Sequence, residues 1–222
     1  MRAGRIRTLD RRPDLSPEQM RRRSAEFLAL MQQRRSVRQF SNRPVDREVV
    51  EDCIRAAAAA PSGANGQPWH FVVVESPEVK RRIREAAEAE ERAFYEGRAP
   101  EAWLEALEPM GTSADKAFLE AAPYLIVVFA QMYRRGAEGE RVASYYPVES
   151  TCIAAGMLVT ALHHAGLGTL TYTPAARGFL RGLLRRPEGE RPMLIVVTGH
   201  PADDAEFPDL PRKSMGDTAT FL

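Results

Sequence analysis

The sequence predicts an α+β sandwich. Short β-branched runs and helical stretches share the chain, but without the strict βαβ repetition of a doubly wound sheet. No Gly-x-Gly-x-x-Gly follows any candidate strand, which argues against a dinucleotide-binding fold. With 222 residues, 44% of them hydrophobic and 27% charged, the chain can close one ordinary core, and disordered or fibrous classes are excluded.

Ser16-Pro17-Glu18 reads as a helix start, with Ser as N-cap, Pro at the first helical position and an acid in the first turn. Phe27, Leu28, Leu30 and Met31 give this helix an apolar face, and it is expected to run to about Gln33. Residues 1–33 are therefore read as an N-terminal arm and first helix of the same domain that residues 34–222 complete. A second helix fits from Asp46, because Val49, Val50, Cys53, Ile54 and Ala57 recur on one face, and Pro61-Ser62-Gly63 ends it. Residues 70–74 form a strand that stops at Ser76-Pro77-Glu78, a second Ser-Pro-Glu start for a strongly charged helix from Val79 to about Tyr95. Between 96 and 115, Gly, Pro, acids and a lone Trp103 mix without sustained periodicity, which predicts a mobile surface excursion of the kind that serves as a lid. Residues 124–130 are continuously apolar, as a buried central strand requires, and Pro123 marks the entry. A buried helix rich in Ala, Gly and Thr is expected over 149–165, ended by Gly166. Strands at 168–173 and 193–199 complete the sheet, and 208–222 reads as an extended tail.

Several classes are set aside by composition. The longest apolar stretch, 152–162, is far short of the roughly 18 residues that a membrane span needs. The basic start lacks an apolar region after it, so no secretory leader is read and a cytoplasmic location is expected. Cys53 and Cys152 both sit in apolar helical contexts and are expected to be small buried hydrophobes rather than a disulfide or metal site. His163 and His164 are adjacent on a helix, about 100° apart, so they do not face one metal; no metal is expected. The first 40 residues hold 11 Arg against 4 acids. No groove-reading motif accompanies this excess, so nucleic acid is not the expected partner; a solvated helix face plus a phosphate site accounts for it better.

Two clusters could carry chemistry. Arg34-Arg35-Ser36-Val37-Arg38 presents forked donors and a hydroxyl suited to an anionic cofactor group, although a solvated basic turn would look the same. Ala60-Pro61-Ser62-Gly63-Ala64-Asn65-Gly66-Gln67-Pro68-Trp69 is a turn-dense loop whose glycines let backbone approach a flat ring, and whose free N–H groups could meet ring or phenolate oxygens; a purely structural loop remains open. No Ser-His-Asp motif or P-loop occurs.

Taken in order with Thr171-Tyr172-Thr173-Pro174 and Pro208-Asp209-Leu210-Pro211-Arg212-Lys213, these motifs resemble the nitroreductase superfamily, in its iodotyrosine deiodinase branch, from about Phe27 to the C-terminus. The branch is singled out by Glu91-x-x-x-Tyr95 followed by Lys116, with Trp103 between, which resembles its substrate-closing lid. Without that resemblance, Glu91 and Tyr95 read as an exposed i,i+4 pair and Lys116 as an ordinary surface residue.

The resemblance implies a nitroreductase-like three-layer α/β/α sandwich forming a domain-swapped homodimer, with FMN at the interface and a lid over about 91–116. It implies that Arg34, Arg35, Ser36, Val37, Arg38, Pro61, Ser62, Gly63, Thr171, Tyr172, Thr173 and Arg212 bind FMN, Thr173 at flavin N5, where its hydroxyl favours one-electron chemistry and makes it the catalytic residue. Ala64 would give its backbone N–H to a substrate phenolate, Glu91 would hold the ammonium, and Tyr95 and Lys116 the carboxylate. The implied activity is reductive dehalogenation of iodo-, bromo- or chlorotyrosine to tyrosine and halide by single-electron transfers from reduced flavin, with NAD(P)H as donor directly or through a reductase. Tyr172 stands where vertebrate members have a third threonine, and the period of two in an extended segment would turn its side chain away from the flavin. No counterpart of the vertebrate membrane anchor is read. The alternatives are a broad NAD(P)H-dependent nitro- or quinone reductase on the same fold, which the lid trio disfavours, and a non-catalytic protein that binds flavin or an aromatic amino acid.

Overall fold

The computed structural model describes residues 14–222; the first 13 residues, on which the reading of no secretory leader rests and which hold much of the Arg-rich arm, lie outside them. The chain falls into two compact units, residues 1–34 and 35–222. The described part of the first is helix α1 (Pro17–Gln33). Its start follows from three residues: the Ser16 hydroxyl accepts from the Gln19 N–H at 3.2 Å, the Gln19 side chain accepts from the Ser16 N–H at 2.8 Å, and Pro17 occupies a position whose N–H has no helical partner. No α1 residue is buried, and Phe27 and Leu28 are 53% and 57% exposed.

The second unit holds strands β1 (Trp69–Val74), β2 (Tyr124–Gln131), β3 (Tyr133–Arg135), β4 (Arg141–Ala143), β5 (Gly168–Tyr172) and β6 (Glu190–Gly199). Four of them form one antiparallel sheet in the order β1-β2-β6-β5, and β3 and β4 make a separate hairpin. Its helices are α2 (Arg47–Ala58), α3 (Pro77–Ala93), α4 (Glu101–Leu107), α5 (Phe118–Ala121), α6 (Pro147–His164), α7 (Gly178–Leu183) and α8 (Met215–Thr218). Along β2 the side chains alternate between two clusters: Leu125, Val127 and Phe129 pack with Ile83 and Ala87 of α3 and Leu180 of α7, whereas Ile126 and Val128 pack with Val50 and Ala57 of α2 and Leu158 and Leu162 of α6. Helices cover both faces of this strand, so every one of its residues from Tyr124 to Ala130 is buried and apolar. Each fully buried Leu, Ile or Phe contributes about 1.5–3 kcal/mol.

Four sequence expectations need correction. The stretch 96–115 is not irregular throughout: a π-helical turn (Phe94–Arg98), α4 and a 3-10 turn (Glu108–Met110) occupy most of it as far as Met110, with an edge-to-face pair between Phe94 and Trp103 at 5.8 Å between ring centroids, and only 111–115 carry no helix or strand. Pieces of one or two turns are too short for a 3.6-residue period to show. The tail contains α8, started by a capping box between Ser214 and Asp217. Cys152 is exposed rather than buried, because α6 is apolar on every side and this chain covers only part of it. The helix expected at 149–165 begins two residues earlier, at Pro147. The β3–β4 hairpin, α5 and α7 carry no signal strong enough to have been anticipated. Among the described residues no helix is long and apolar enough to cross a membrane, and no group of His, Cys, Asp and Glu is arranged to hold a metal ion.

Candidate functional site

The site grows from β5, the edge strand of the sheet. Residues just after the first unit add to that edge: Ser36 bridges Thr169 in parallel, and the Val37 N–H donates to the Thr169 carbonyl at 3.0 Å. Covering the edge satisfies its backbone groups, and the parallel direction carries Arg38 along toward Thr171. Val37 also packs on Gly168, where a Cβ would lie 3.1 Å from a Val37 methyl. The Arg35 guanidinium sits 4.8 Å from the centre of the Phe207 ring. Arg38 is half-buried; burial lowers its pKa and the nearby Tyr95 opposes that shift. It remains a cation at any physiological pH.

Arg38, Thr171, Tyr172 and Thr173 share a cavity of about 610 Å³ with Glu91, Tyr95, Trp103 and Lys116. Thr171 and Thr173 are exposed while Tyr172 is buried, the alternation an extended strand imposes. The Tyr172 side chain therefore turns away from those of its threonine neighbours and joins the cavity wall beside Glu91 and Lys116. Its ring meets Phe118 edge-to-face at 5.5 Å, and its hydroxyl donates to Glu91 Oε1 at 3.0 Å.

Glu91 is inward-facing for a reason visible along α3. Ile83, Ala87 and Glu91 follow at intervals of four, so the carboxylate continues a buried apolar stripe, and it is only 6% exposed. Burying a carboxylate is costly unless it is paired. Glu91 Oε2 lies 3.5 Å from Lys116 Nζ, and Lys116, 4% exposed, also donates to the Ser113 carbonyl. Burial pushes the Lys116 pKa down, and the Glu91 carboxylate pushes it back up. The Lys116 ammonium stands 5.6 Å from the Tyr172 ring and 6.0 Å from the Tyr95 ring. The Tyr95 hydroxyl is 3.1 Å from the Thr112 hydroxyl. Neither member of the Glu91–Lys116 pair is the exposed surface residue that helix spacing alone suggested.

The Pro61 to Gln67 loop is a second constellation. Ala64, Asn65 and Gln67 all have left-handed backbone, with φ of 49°, 52° and 46°, a conformation that costs non-glycine residues energy and persists where surroundings enforce it. The Gly63 N–H donates to the Ser150 hydroxyl at 3.3 Å, the Asn65 and Gly66 N–H groups to the Ser62 and Gly63 carbonyls, and the Gln67 N–H to the Ser62 hydroxyl at 3.0 Å. The Ala64 N–H has no acceptor among the described residues. Pro61, Ser62, Gly63 and Ala64 do not line the cavity around Glu91 and Lys116, and neither does Arg212, which is exposed ahead of α8. Arg34 closes the first unit, its N–H donating to the Met31 carbonyl at 3.3 Å. Sequence reasoning missed Thr112, Ser113 and Phe118, for which no signal exists, and the bond from Tyr172 to Glu91.

Comparison with known proteins adds to this geometry. The nitroreductase family model matches residues 31–200. The iodotyrosine deiodinase of Haliscomenobacter hydrossis is 51% identical over 197 residues, covering 89% of each chain. That of Danio rerio is 45% identical over 208 residues, covering 93% of this chain and 70% of the relative. Among solved structures, oxidized iodotyrosine deiodinase bound to FMN and 3-iodo-L-tyrosine superposes with a TM-score of 0.76 at 32% identity, over 85% of this chain and 96% of that one. A BluB-like flavoprotein from Clostridium difficile shares the fold at 21% identity and a TM-score of 0.67. With a family model spanning most of its length and relatives of this identity along nearly all of it, the chain belongs to the nitroreductase family, in its iodotyrosine deiodinase branch.

Proposed function

We propose that this protein is an FMN-dependent reductive dehalogenase of halotyrosines. The observation that carries the reading is the buried Glu91–Lys116 pair on the wall of a cavity that also displays Arg38, Thr171 and Thr173. A zwitterionic amino acid loses the hydration of its ammonium and carboxylate on entering such a space, and an acid and a base already desolvated there can replace it. A broad nitro- or quinone reductase has no use for two buried opposite charges beside the reacting ring. In this reading Glu91 takes the substrate ammonium, Lys116 and Tyr95 take its carboxylate, and the unpaired Ala64 N–H is offered to the phenolate oxygen.

The donor set suits FMN. Guanidinium groups at Arg35 and Arg38, hydroxyls at Ser36, Thr171 and Thr173, and free backbone at Ala64 match a ligand with a phosphate, a polyol and a ring edged by carbonyl oxygens. Arg34, Val37, Pro61, Ser62, Gly63, Arg212 and the Tyr172 backbone would complete this cradle, with the Thr173 hydroxyl at N5. When bound and reduced, the flavin supplies the two electrons that, with one proton, exchange the carbon–halogen bond for carbon–hydrogen and release halide. The protein's part is to hold the zwitterion, stabilise the phenolate and close water out.

Within one chain the Ala64 loop and the lid cavity share no lining residue, and α6 leaves Cys152, Ile153 and Gly156 exposed on an apolar helix. Both features support a homodimer in which a second copy brings the two half-sites together. The chain is then one FMN-binding domain, with residues 1–33 as arm and first helix, a lid over about 91–116, helices on both sheet faces as a three-layer sandwich, and a domain-swapped partner. NAD(P)H, directly or through a reductase, is the proposed electron source, and the cytoplasm the proposed location.

Anaerobic incubation with iodo-, bromo- and chlorotyrosine, using dithionite and NAD(P)H in parallel, tests the assignment through halide and tyrosine release. Dithionite should support turnover of at least one halotyrosine. A flavin-loaded protein that releases no halide from any of them overturns the reading.

A further inference from the structure

We propose that Tyr172 is a positioning residue that fixes Glu91 for the substrate ammonium; this rests on the dehalogenase reading above. Glu91 stands at the end of α3, two residues before the helix gives way to the π-turn of the lid. An acid at such a junction can swing with the lid unless something rigid holds it. Its two oxygens are held differently: Oε2 faces Lys116 on the lid, whereas Oε1 accepts from the Tyr172 hydroxyl on β5. β5 is pinned by its antiparallel register with β6 and by the added bridge from Ser36. The phenol is therefore the contact through which the sheet, and not the lid, sets where the carboxylate sits.

The chemistry of the donor fits this task. A phenol gives one directed hydrogen bond without adding charge, so it orients Glu91 without competing for the ammonium as a second cation would. Burial and the adjacent Glu91 charge push the Tyr172 pKa up, so it stays protonated and remains a donor. Phe118 packs edge-to-face on the ring and limits its rotation. Tyr172 also lies between Thr171 and Thr173, so the same stretch of strand that presents the threonines on one side anchors the ammonium receptor on the other.

Tyr172→Phe removes the hydroxyl and keeps the ring. Flavin-fluorescence titration of the holoprotein with 3-iodotyrosine, and with its deaminated analogue 3-(4-hydroxy-3-iodophenyl)propanoate, separates positioning from packing. Loss of one hydrogen bond to a buried charge should weaken iodotyrosine about tenfold and the analogue less than about twofold. In a Glu91→Gln background the same change should cost less than about twofold, since a residue acting through Glu91 is not additive with it. Equal losses for both ligands, or equal losses in both backgrounds, would overturn the assignment. Failure of the unmutated holoprotein to bind iodotyrosine takes down the dehalogenase reading along with it, whereas normal binding with no selective loss in Tyr172→Phe removes Tyr172 alone.

Discussion

An acid and a base buried 3.5 Å apart attract each other by roughly 5 kcal/mol at an effective dielectric constant of about 20. Their desolvation cancels much of that, so the Glu91–Lys116 pair adds little stability beyond what an apolar pair would give. Under the proposed function its use is as a receptor already stripped of water. Glu91→Gln and Lys116→Ala should each weaken halotyrosine binding by at least about tenfold while FMN stays bound, the loss expected for a charge-assisted hydrogen bond; flavin-fluorescence titration reads both, and unchanged affinity in both variants removes the lid from recognition. A pH dependence follows from the direction of the Lys116 shift. Burial lowers its pKa, so the ammonium that would hold the substrate carboxylate is fully present below that value and is lost as pH rises through it. Halotyrosine affinity should therefore fall on the alkaline side earlier than for an ordinary lysine. Because Glu91 raises the Lys116 pKa, Glu91→Gln should move this limb to still lower pH, and titrations across the alkaline range that show no movement would detach the two residues. Of these roles the sequence made Glu91, Tyr95 and Lys116 candidates only through family resemblance. The burial of Glu91 and Lys116 and the bond from the Tyr172 phenol depend on α3 and β5 coming together, which no local spacing encodes.

Among the elements, those announced by side-chain-to-backbone bonds were the most legible. Ser16 and Ser76 accept from the N–H three residues on and Asp46 from the N–H two residues on, and each starts a helix where the sequence placed it. The central strand β2 was equally plain, since burial on both faces leaves no polar alternation to interpret. The helical pieces between Phe94 and Met110 left no period in the sequence because they are short and are held by contacts such as Phe94 on Trp103, made only after folding. The Ser62 loop depends on a close approach that can be tested. A Cβ on Gly63 would lie 2.9 Å from the Tyr145 carbonyl and 3.0 Å from the Tyr146 ring; the ring can swing aside, but the nearer group is backbone and cannot. Gly63→Ala should cost about 1–3 kcal/mol, lowering Tm by a few to about ten degrees at roughly 2–4 °C per kcal/mol, and should weaken FMN binding by displacing Ala64. Calorimetry and flavin titration measure the two effects; a variant with unaltered Tm shows that Tyr145 and Tyr146 yield freely.

For the molecule as a whole, the open question posed by one chain is what covers α6. Ile153 is 47% exposed on a helix that is apolar all round, and such a helix is stable in water only when its remaining face is covered. Under the proposed homodimer, Ile153→Glu should shift the protein toward monomer in analytical ultracentrifugation and release flavin with it; a variant that stays dimeric and yellow would place the interface elsewhere. The sequence by itself determined the α+β class, the capped helices, the buried central strand and, through its motifs, the family, because each is written in neighbouring residues or in a period of 2 or 3.6. Tertiary structure alone decided that Arg38 and the Thr171–Thr173 strand share a cavity with Glu91 and Lys116, that Tyr172 turns toward the acid instead of following its threonines, and that the Ala64 loop lies outside that cavity. Those outcomes join residues up to 135 positions apart, from Arg38 to Thr173. Their physical cause is the burial of an apolar sheet, which fixes which side chains are carried inward together and leaves the charged ones among them to find partners there.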